Sequence, residues 1–312
     1  AILRRRAEWL WRLGADNGIP PRLMVAAALV CGENCQLSEL APLFDGSPYG
    51  PPVLSSTETD VLARVTGKFL EGAPGWVVGG YPEWLQPHLE ARFGGDLADE
   101  MKALNQRAPL DLRTNTLKAM RDAALAALAA EGVSAEPTPL SPLGIRAHGR
   151  ARVTGLTVFQ GGQIEVQDEG SQVAALLADA RPGAQVVDMC AGGGGKTLAL
   201  AAAMENRGQI YAADTDPRRL KQLDTRLTRA GARNVQSGQI DGAGASFPGE
   251  GNILFGLNGR ADRVLIDAPC SGTGAWRRNP DAKWRLTPGM LARHVERQNR
   301  LLSRAALLVK PG

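Results

Sequence analysis

The chain has 312 residues, 44% hydrophobic and 22% charged, an ordinary globular composition with length for about two domains. No apolar run approaches the roughly 20 residues of a membrane span and no secretory signal opens the sequence, so neither a membrane nor an export role is expected. The formal net charge of +4 is compatible with a polyanionic partner without requiring one.

The four cysteines, Cys31, Cys35, Cys190 and Cys270, make neither a disulfide framework nor a paired CxxC pattern, and the three histidines are scattered. A reducing cytoplasm and no metal are therefore expected. Both ends read as interior sequence: Ala1 to Arg6 resembles mid-helix, and Ala305 to Gly312 a helix end followed by a turn.

Residues 1–105 read as helical, with Leu, Ala and Trp at three-to-four spacing between Pro/Gly breaks. Trp9, Trp11 and Leu13 form one apolar group and Met24 to Val30 another; Ser56 to Thr59 offers an N-cap before a helix over Val61–Leu70. The tryptophans suit a core, while the Arg4–Arg6 run suits RNA or a solvated face equally. Residues 106–165 read as a small α+β subdomain. Pro109 to Asn115 alternates like a strand, an Ala/Leu helix follows from Lys118 to Glu131, and short strands are expected near Ala151–Val153 and Thr157–Phe159. Arg113 and Asn115, two apart, would share one face and are candidate RNA contacts.

From 166 to 312 the pattern is α/β. Gln167 to Gln172 caps a helix, and a strand over 184–189 ends at Asp188. The run Cys190-Ala191-Gly192-Gly193-Gly194-Gly195-Lys196 then turns into a helix, so bare backbone and unpaired helical N–H groups face whatever sits there. Asp214, Asp241 and Asp267 follow Asp188 at intervals of 26, 27 and 26 residues, each one strand plus one crossover. Four carboxylates thus recur near the carboxyl ends of successive parallel strands, where ligands bind in open α/β sheets. A Walker A loop needs Gly where Cys190 stands, and the dinucleotide fingerprint fails at Thr197 or Leu198. S-adenosylmethionine fits better: it has no phosphate, Asp214 can accept its ribose hydroxyls, and Asp241 its adenine amino group.

The fourth strand bears on the reaction. Asp267-Ala268-Pro269-Cys270 sets an acid and a thiol at a strand end, and a thiolate adding to C6 of a pyrimidine would activate C5 for methylation. Beyond it, Arg277-Arg278-Asn279-Pro280-Asp281-Ala282-Lys283-Trp284 is compatible with holding a phosphate backbone and stacking a base.

Asp188 to Thr197 together with Asp267-Ala-Pro-Cys-Ser-Gly-Thr-Gly274 resembles the RsmB/Sun (Nol1/Nop2/Sun) family of RNA cytosine-C5 methyltransferases, and Pro109 to Leu117, Gln167 to Gln172 and Arg277 to Trp284 are similar to further family segments. The helical part more loosely resembles the NusB-like domain of bacterial members. The resemblance implies a Rossmann-like class I methyltransferase sheet after a small α+β subdomain and an all-α NusB-like domain. It implies S-adenosylmethionine as cofactor, with Cys190, Ala191, Gly192, Gly193, Gly194, Gly195 and Lys196 on its methionine side. Asp214 with Arg219 would hold the ribose, Asp241 the adenine, and Asp267 the reacting region. The substrate would be RNA, ribosomal in particular, contacted by Arg113, Asn115, Arg277, Arg278 and Lys283, and the protein a cytoplasmic monomer.

In the family the nucleophile lies on a fifth strand in a Thr-Cys-Ser context, and Cys270 matches the thiol that helps release product. The sequence stops at Gly312, so an incomplete sheet, an exposed edge at the fourth strand and little or no turnover are expected of this stretch. It departs from the family at Gly193, where many members have Pro. Two rivals remain: a non-catalytic RNA-binding or assembly protein, and an N- or O-methyltransferase.

Overall fold

The computed structural model describes residues 2–14, 19–65, 70–149, 151–241 and 252–311. The chain forms two compact units, Ala1–Ala108 with Ser271–Leu291, and Pro109–Cys270 with Ala292–Gly312.

The first unit is helical: α1 (Arg6–Leu13), α2 (Pro21–Gly32), α3 (Leu37–Leu40), α4 (Ser56–Val65), α5 (Gly75–Gly79), α6 (Gln86–Phe93) and α7 (Leu97–Asn105). Apolar residues at helical spacing set Leu23, Ala26, Ala27 and Val30 of α2 against Leu40, Phe44 and Leu62. Trp9 is buried, whereas Trp11, two residues on, is exposed. The helix expected over Val61–Leu70 is described to Val65; residues 66–69 lie outside the described ones.

Ser271–Leu291, read from sequence as part of the methyltransferase region, belongs to this helical unit, where Trp276 and Leu286 are buried with Tyr81, Leu85, Leu89 and Met101. That placement corrects two expectations. Lys283 is only 1% exposed, and its Nζ donates to the Asn105 Oδ1 at 2.8 Å and the Arg4 carbonyl at 3.2 Å, so it is committed inside the protein. Burial pulls its pKa down to about 8. Trp284 is half-buried beside Lys283 and Arg6, and its Nε1 donates to the Leu3 carbonyl at 2.7 Å rather than standing out as a stacking platform. The Arg4–Arg6 run is likewise engaged: Arg4 donates to the carbonyls of Gln106 and Arg277, and Arg5 pairs with Glu8. Arg277 is half-buried and donates to the Arg107 carbonyl, while Arg278 is exposed.

The second unit opens with β1 (Leu110–Thr114), α8 (Arg121–Ala130), β2 (Ala135–Pro137), β3 (Gly144–Ala147), α9 (Thr157–Gln160) and β4 (Ile164–Val166). The four strands form an antiparallel sheet in the order β2-β3-β1-β4. Leu112, Ile145 and Ile164 bury one face under Ala124 and Leu128 of α8. The strands expected at Ala151–Val153 and Thr157–Phe159 are absent: the first stretch is irregular chain entering a single 3-10 turn, and the second is α9.

β1 is an interior strand, and from Asp111 to Thr114 every residue is buried. This corrects the RNA-contact expectation for Arg113 and Asn115, which are 1% and 2% exposed. Arg113 Nε donates to Gln167 Oε1 at 2.6 Å, and burial pulls its pKa down to about 10. Asn115 Nδ2 donates to the carbonyls of Gly162 and Ala230, both at 2.8 Å. Arg113 Nη1 has no hydrogen-bond partner, but it is buried, so neither side chain reaches the surface where a phosphate would lie.

Then come α10 (Glu169–Leu177), β5 (Gln185–Asp188), α11 (Gly195–Ala203), β6 (Gln209–Asp214), α12 (Pro217–Ala230), β7 (Val235–Gln239) and β8 (Arg263–Leu265); after α13 (Ala282–Arg285) in the helical unit comes α14 (Pro288–Leu308). Asp168 caps α10 by accepting from the Gly170 N–H at 3.0 Å. The second sheet is parallel, ordered β7-β6-β5-β8. The chain steps outward from β5 to β7 and returns to the other side of β5, so a topological switch point lies at the β5 carboxyl end. The edge expected at β8 is covered at its beginning. Ala261 bridges Val309 in parallel, the Lys310 N–H donates to the Ala261 carbonyl at 3.0 Å, and the Arg260 and Ala261 N–H groups donate to Leu308.

Candidate functional site

The site is built on what happens to the chain after Asp188. The Ala191 N–H donates to the Ala213 carbonyl at 3.0 Å and the Gly192 N–H to Asp214 Oδ2 at 2.8 Å, tying the turn to the end of β6. Gly192 and Gly194 have φ of 55° and 83°. At Gly194 a Cβ would fall 2.2 Å from Leu223 of α12, whereas at Gly192 nothing lies within 4 Å, so the backbone there is bare toward open space.

The turn floors a cavity of about 630 Å³ within the second unit, the size of an ordinary small-molecule site. Asp188, Asp214, Asp241 and Asp267 all line it, with Cys190, Lys196, Arg219 and Cys270. Of the cofactor residues expected from sequence, Gly194 alone is not in the lining; it packs against α12 instead.

Each acid has a distinct setting. Asp188 is fully buried. Its Oδ2 accepts from the Thr197 hydroxyl at 2.8 Å, and its Oδ1 is buried without a hydrogen-bond partner. Burial raises its pKa to about 6 against the opposing Thr197 hydrogen bond. Asp214, also buried, accepts from the Gly192 N–H through one oxygen and from the Asp216 N–H at 2.9 Å through the other. Each oxygen keeps a lone pair for a further donor. Asp241 is half-exposed, 3.8 Å from Arg304 Nη1. Asp267 pairs with Lys196 Nζ at 2.5 Å on the more exposed side.

The two thiols of the cavity differ. Cys190 is half-buried, and burial together with Asp188 and Asp214 pushes its pKa to about 11, so it stays protonated at neutral pH. Cys270 is exposed at the rim. Sequence reasoning missed Gln167, Arg297, Arg300 and Arg304, which also line the cavity. The signal was present as three arginines spaced at three and four residues along α14, a pattern that reads equally as a solvated helix face.

A family model described as "16S rRNA methyltransferase RsmB/F" matches residues 174–312, and one described as the RsmF/B-like ferredoxin-like domain matches residues 81–154. The chain belongs to the RsmB/F methyltransferase family. A curated relative from Synechocystis, named a probable ribosomal RNA small subunit methyltransferase B, is 35% identical over 74% of this chain and 51% of its own length. A solved protein titled PH0851 is 28% identical, with a TM-score of 0.79 over 100% of this chain and 73% of that one. A methyltransferase homolog from Pyrococcus horikoshii is 26% identical, with a TM-score of 0.63 over 76% of this chain and 72% of that one. The chain spans about half the length of the curated relatives it matches. The RsmB/F methyltransferase match takes in the whole parallel sheet and every cavity-lining residue except Gln167 and Ser171. The sheet is the Rossmann-like one of that fold class. The ferredoxin-like match covers β1 to β3 and stops before β4.

Proposed function

We propose that this chain carries the cofactor site and part of the RNA site of an S-adenosylmethionine-dependent methyltransferase acting on C5 of cytosine in ribosomal RNA, in the cytoplasm. The observation that carries the reading is one cavity in which four strand-end carboxylates, a bare glycine turn and the Cys270 thiol converge. The residues fit the cofactor. The buried, unpartnered Asp188 Oδ1 suits an ammonium group, Asp214 suits a ribose diol, and Gly192 leaves room where any side chain would intrude. When bound, S-adenosylmethionine supplies the electrophilic methyl group.

The chain's own residues divide the remaining work. Asp241 takes the adenine side, with Arg219 flanking the ribose. Lys196 and Asp267, paired at the reacting end, orient the cytosine edge. By the family resemblance, the thiolate that adds to C6 comes from a fifth-strand cysteine; the C5=C6 electron pair attacks the methyl group, the methyl–sulfur bonding pair leaves with S-adenosylhomocysteine, and loss of the C5 proton expels the thiolate. Cys270 is assigned to the release step, following the family resemblance. Arg278, exposed, and Arg277 remain the candidate RNA contacts among the five expected from sequence.

The test is tritium release from ribosomal RNA labelled at cytosine C5, run with S-adenosylmethionine and the full-length protein. Methyl incorporation with matching tritium release is expected. Incorporation without release would assign an N- or O-methyltransferase, and cofactor and RNA binding without incorporation would assign a non-catalytic RNA-binding protein.

A further inference from the structure

Three arginines of α14, at positions 297, 300 and 304, line the cavity, and they fall into two groups by place. Arg304 lies at the adenine side, 3.8 Å from Asp241. Near Arg297, the neighbouring Gln298 donates to the Pro269 carbonyl at 2.9 Å, which pins this turn of α14 beside Cys270. Six residues of α-helix separate Gln298 from Arg304, roughly 9 Å. Arg297 and Arg300, one turn apart, therefore stand at the reacting end of the cavity.

Their charges are weakly compensated. Arg297 is half-buried and has no ion-pair partner among the described residues, although its field opposes the rise in the Cys190 pKa. Among the described residues, the ion pair of Arg300 is a rim contact with Glu296 at 3.7 Å. A half-buried guanidinium facing a ligand cavity is best satisfied by an anion, and its planar fork matches a phosphate through two parallel hydrogen bonds. Two anions can reach this cavity, the carboxylate of S-adenosylmethionine and a phosphodiester of the RNA; the position of this turn of α14 beside Cys270 favours the second. A base drawn out of its stack toward Cys270 brings its own phosphodiester to the rim.

We propose that Arg297 and Arg300 form a phosphate clamp for the target nucleotide, holding the backbone of the RNA while its cytosine enters beside Cys270. This inference rests on the function proposed above. It assigns RNA contact to a helix of the methyltransferase sheet, where the interior residues Arg113 and Asn115 cannot supply it.

The experiment compares wild type with Arg297→Gln, Arg300→Gln, the double variant, Arg297→Lys and the control Arg293→Gln, an exposed arginine of α14 outside the cavity lining. Affinity for a single-stranded oligocytidylate is measured against salt, and S-adenosylmethionine affinity by calorimetry. Each glutamine variant is expected to weaken RNA binding roughly fivefold. The double variant should shallow the salt slope by about 0.7, the value for the one phosphate lost from a single strand. Arg297→Lys should recover part of the loss, Arg293→Gln should match wild type, and cofactor affinity should stay within twofold throughout. Unchanged RNA affinity and slope in the double variant overturn the clamp. So does a fivefold loss of cofactor affinity with RNA binding intact, which would assign the pair to the cofactor carboxylate. Wild-type protein that binds neither ligand overturns the functional reading and the clamp with it.

Discussion

Asp188 sets a conflict between stability and binding. Burial raises its pKa from 3.8 to about 6, so near neutral pH the fold carries a carboxylate that is harder to keep ionised than in the unfolded chain. The sign follows directly. Below pH 3.8 both states hold the proton and there is no penalty; as pH rises through about 6 the folded state gives up stability, roughly 3 kcal/mol in full. Asp188→Asn keeps an acceptor for the Thr197 hydroxyl and removes the charge. It should melt several degrees above wild type at pH 7 and converge with it near pH 4, by calorimetry. The same variant should bind S-adenosylmethionine at least tenfold more weakly, and wild-type affinity should increase as pH rises through 6. A lower melting temperature at pH 7 with unchanged cofactor affinity would contradict this role. That Asp188 belongs with Asp214, Asp241 and Asp267 was legible from their even spacing; its unpartnered oxygen was not, because burial comes from α11 folding back over β5.

The glycine turn is the element on which the cavity depends, and its positions are not equivalent. Gly193→Ala should be tolerated within about 0.5 kcal/mol, since its Cβ would meet Arg226 and Gln222 at 3.5 and 3.7 Å, ordinary contacts. Gly194→Ala should cost roughly 2 kcal/mol, because φ is 83° and the Cβ would sit 2.2 Å from Leu223. Urea denaturation of the two variants tests the contrast, and equal stabilities would contradict it. Strand, turn and helix were readable here because a β-branched run, glycines and an Ala/Leu run follow one another. The small sheet was less readable. Thr157–Phe159 looks like a strand, but the Glu131 carboxylate accepts the N–H groups of Thr157 and Val158 at 2.7 and 3.0 Å and starts α9. A cap from 26 residues away leaves no local mark in the sequence. Alternation gives a strand one polar face only where one face is wet; β1 is covered on both, which is why Arg113 is buried.

At the scale of the whole second unit, the antiparallel and parallel sheets are joined by charge. Glu165 of β4 is buried and accepts from Arg226 at 2.9 Å and from Arg229, and Arg226 also donates to the Gly193 carbonyl at 2.5 Å. The carboxylate thus holds an arginine that holds the glycine turn. Glu165→Gln should cost about 3 kcal/mol by leaving two guanidinium groups uncompensated. It should also weaken S-adenosylmethionine binding several-fold, though Glu165 does not line the cavity. A loss of stability with cofactor affinity unchanged would reduce Glu165 to a structural role. The sequence showed a helical region, a small α+β region and a parallel sheet in the right order. It could not show that Ser271–Leu291 folds with the helical unit, because that depends on Trp276 packing against Tyr81, Leu85, Leu89 and Met101 and on Lys283 reaching Asn105, all distant in sequence.

The central claim is that the four-acid cavity binds S-adenosylmethionine, and isothermal calorimetry on the folded chain tests it most directly. The account predicts saturable uptake at one site per chain, lost in Asp214→Ala and insensitive to added ATP or NAD. No heat with S-adenosylmethionine, together with tight binding of a triphosphate or a dinucleotide, would contradict it.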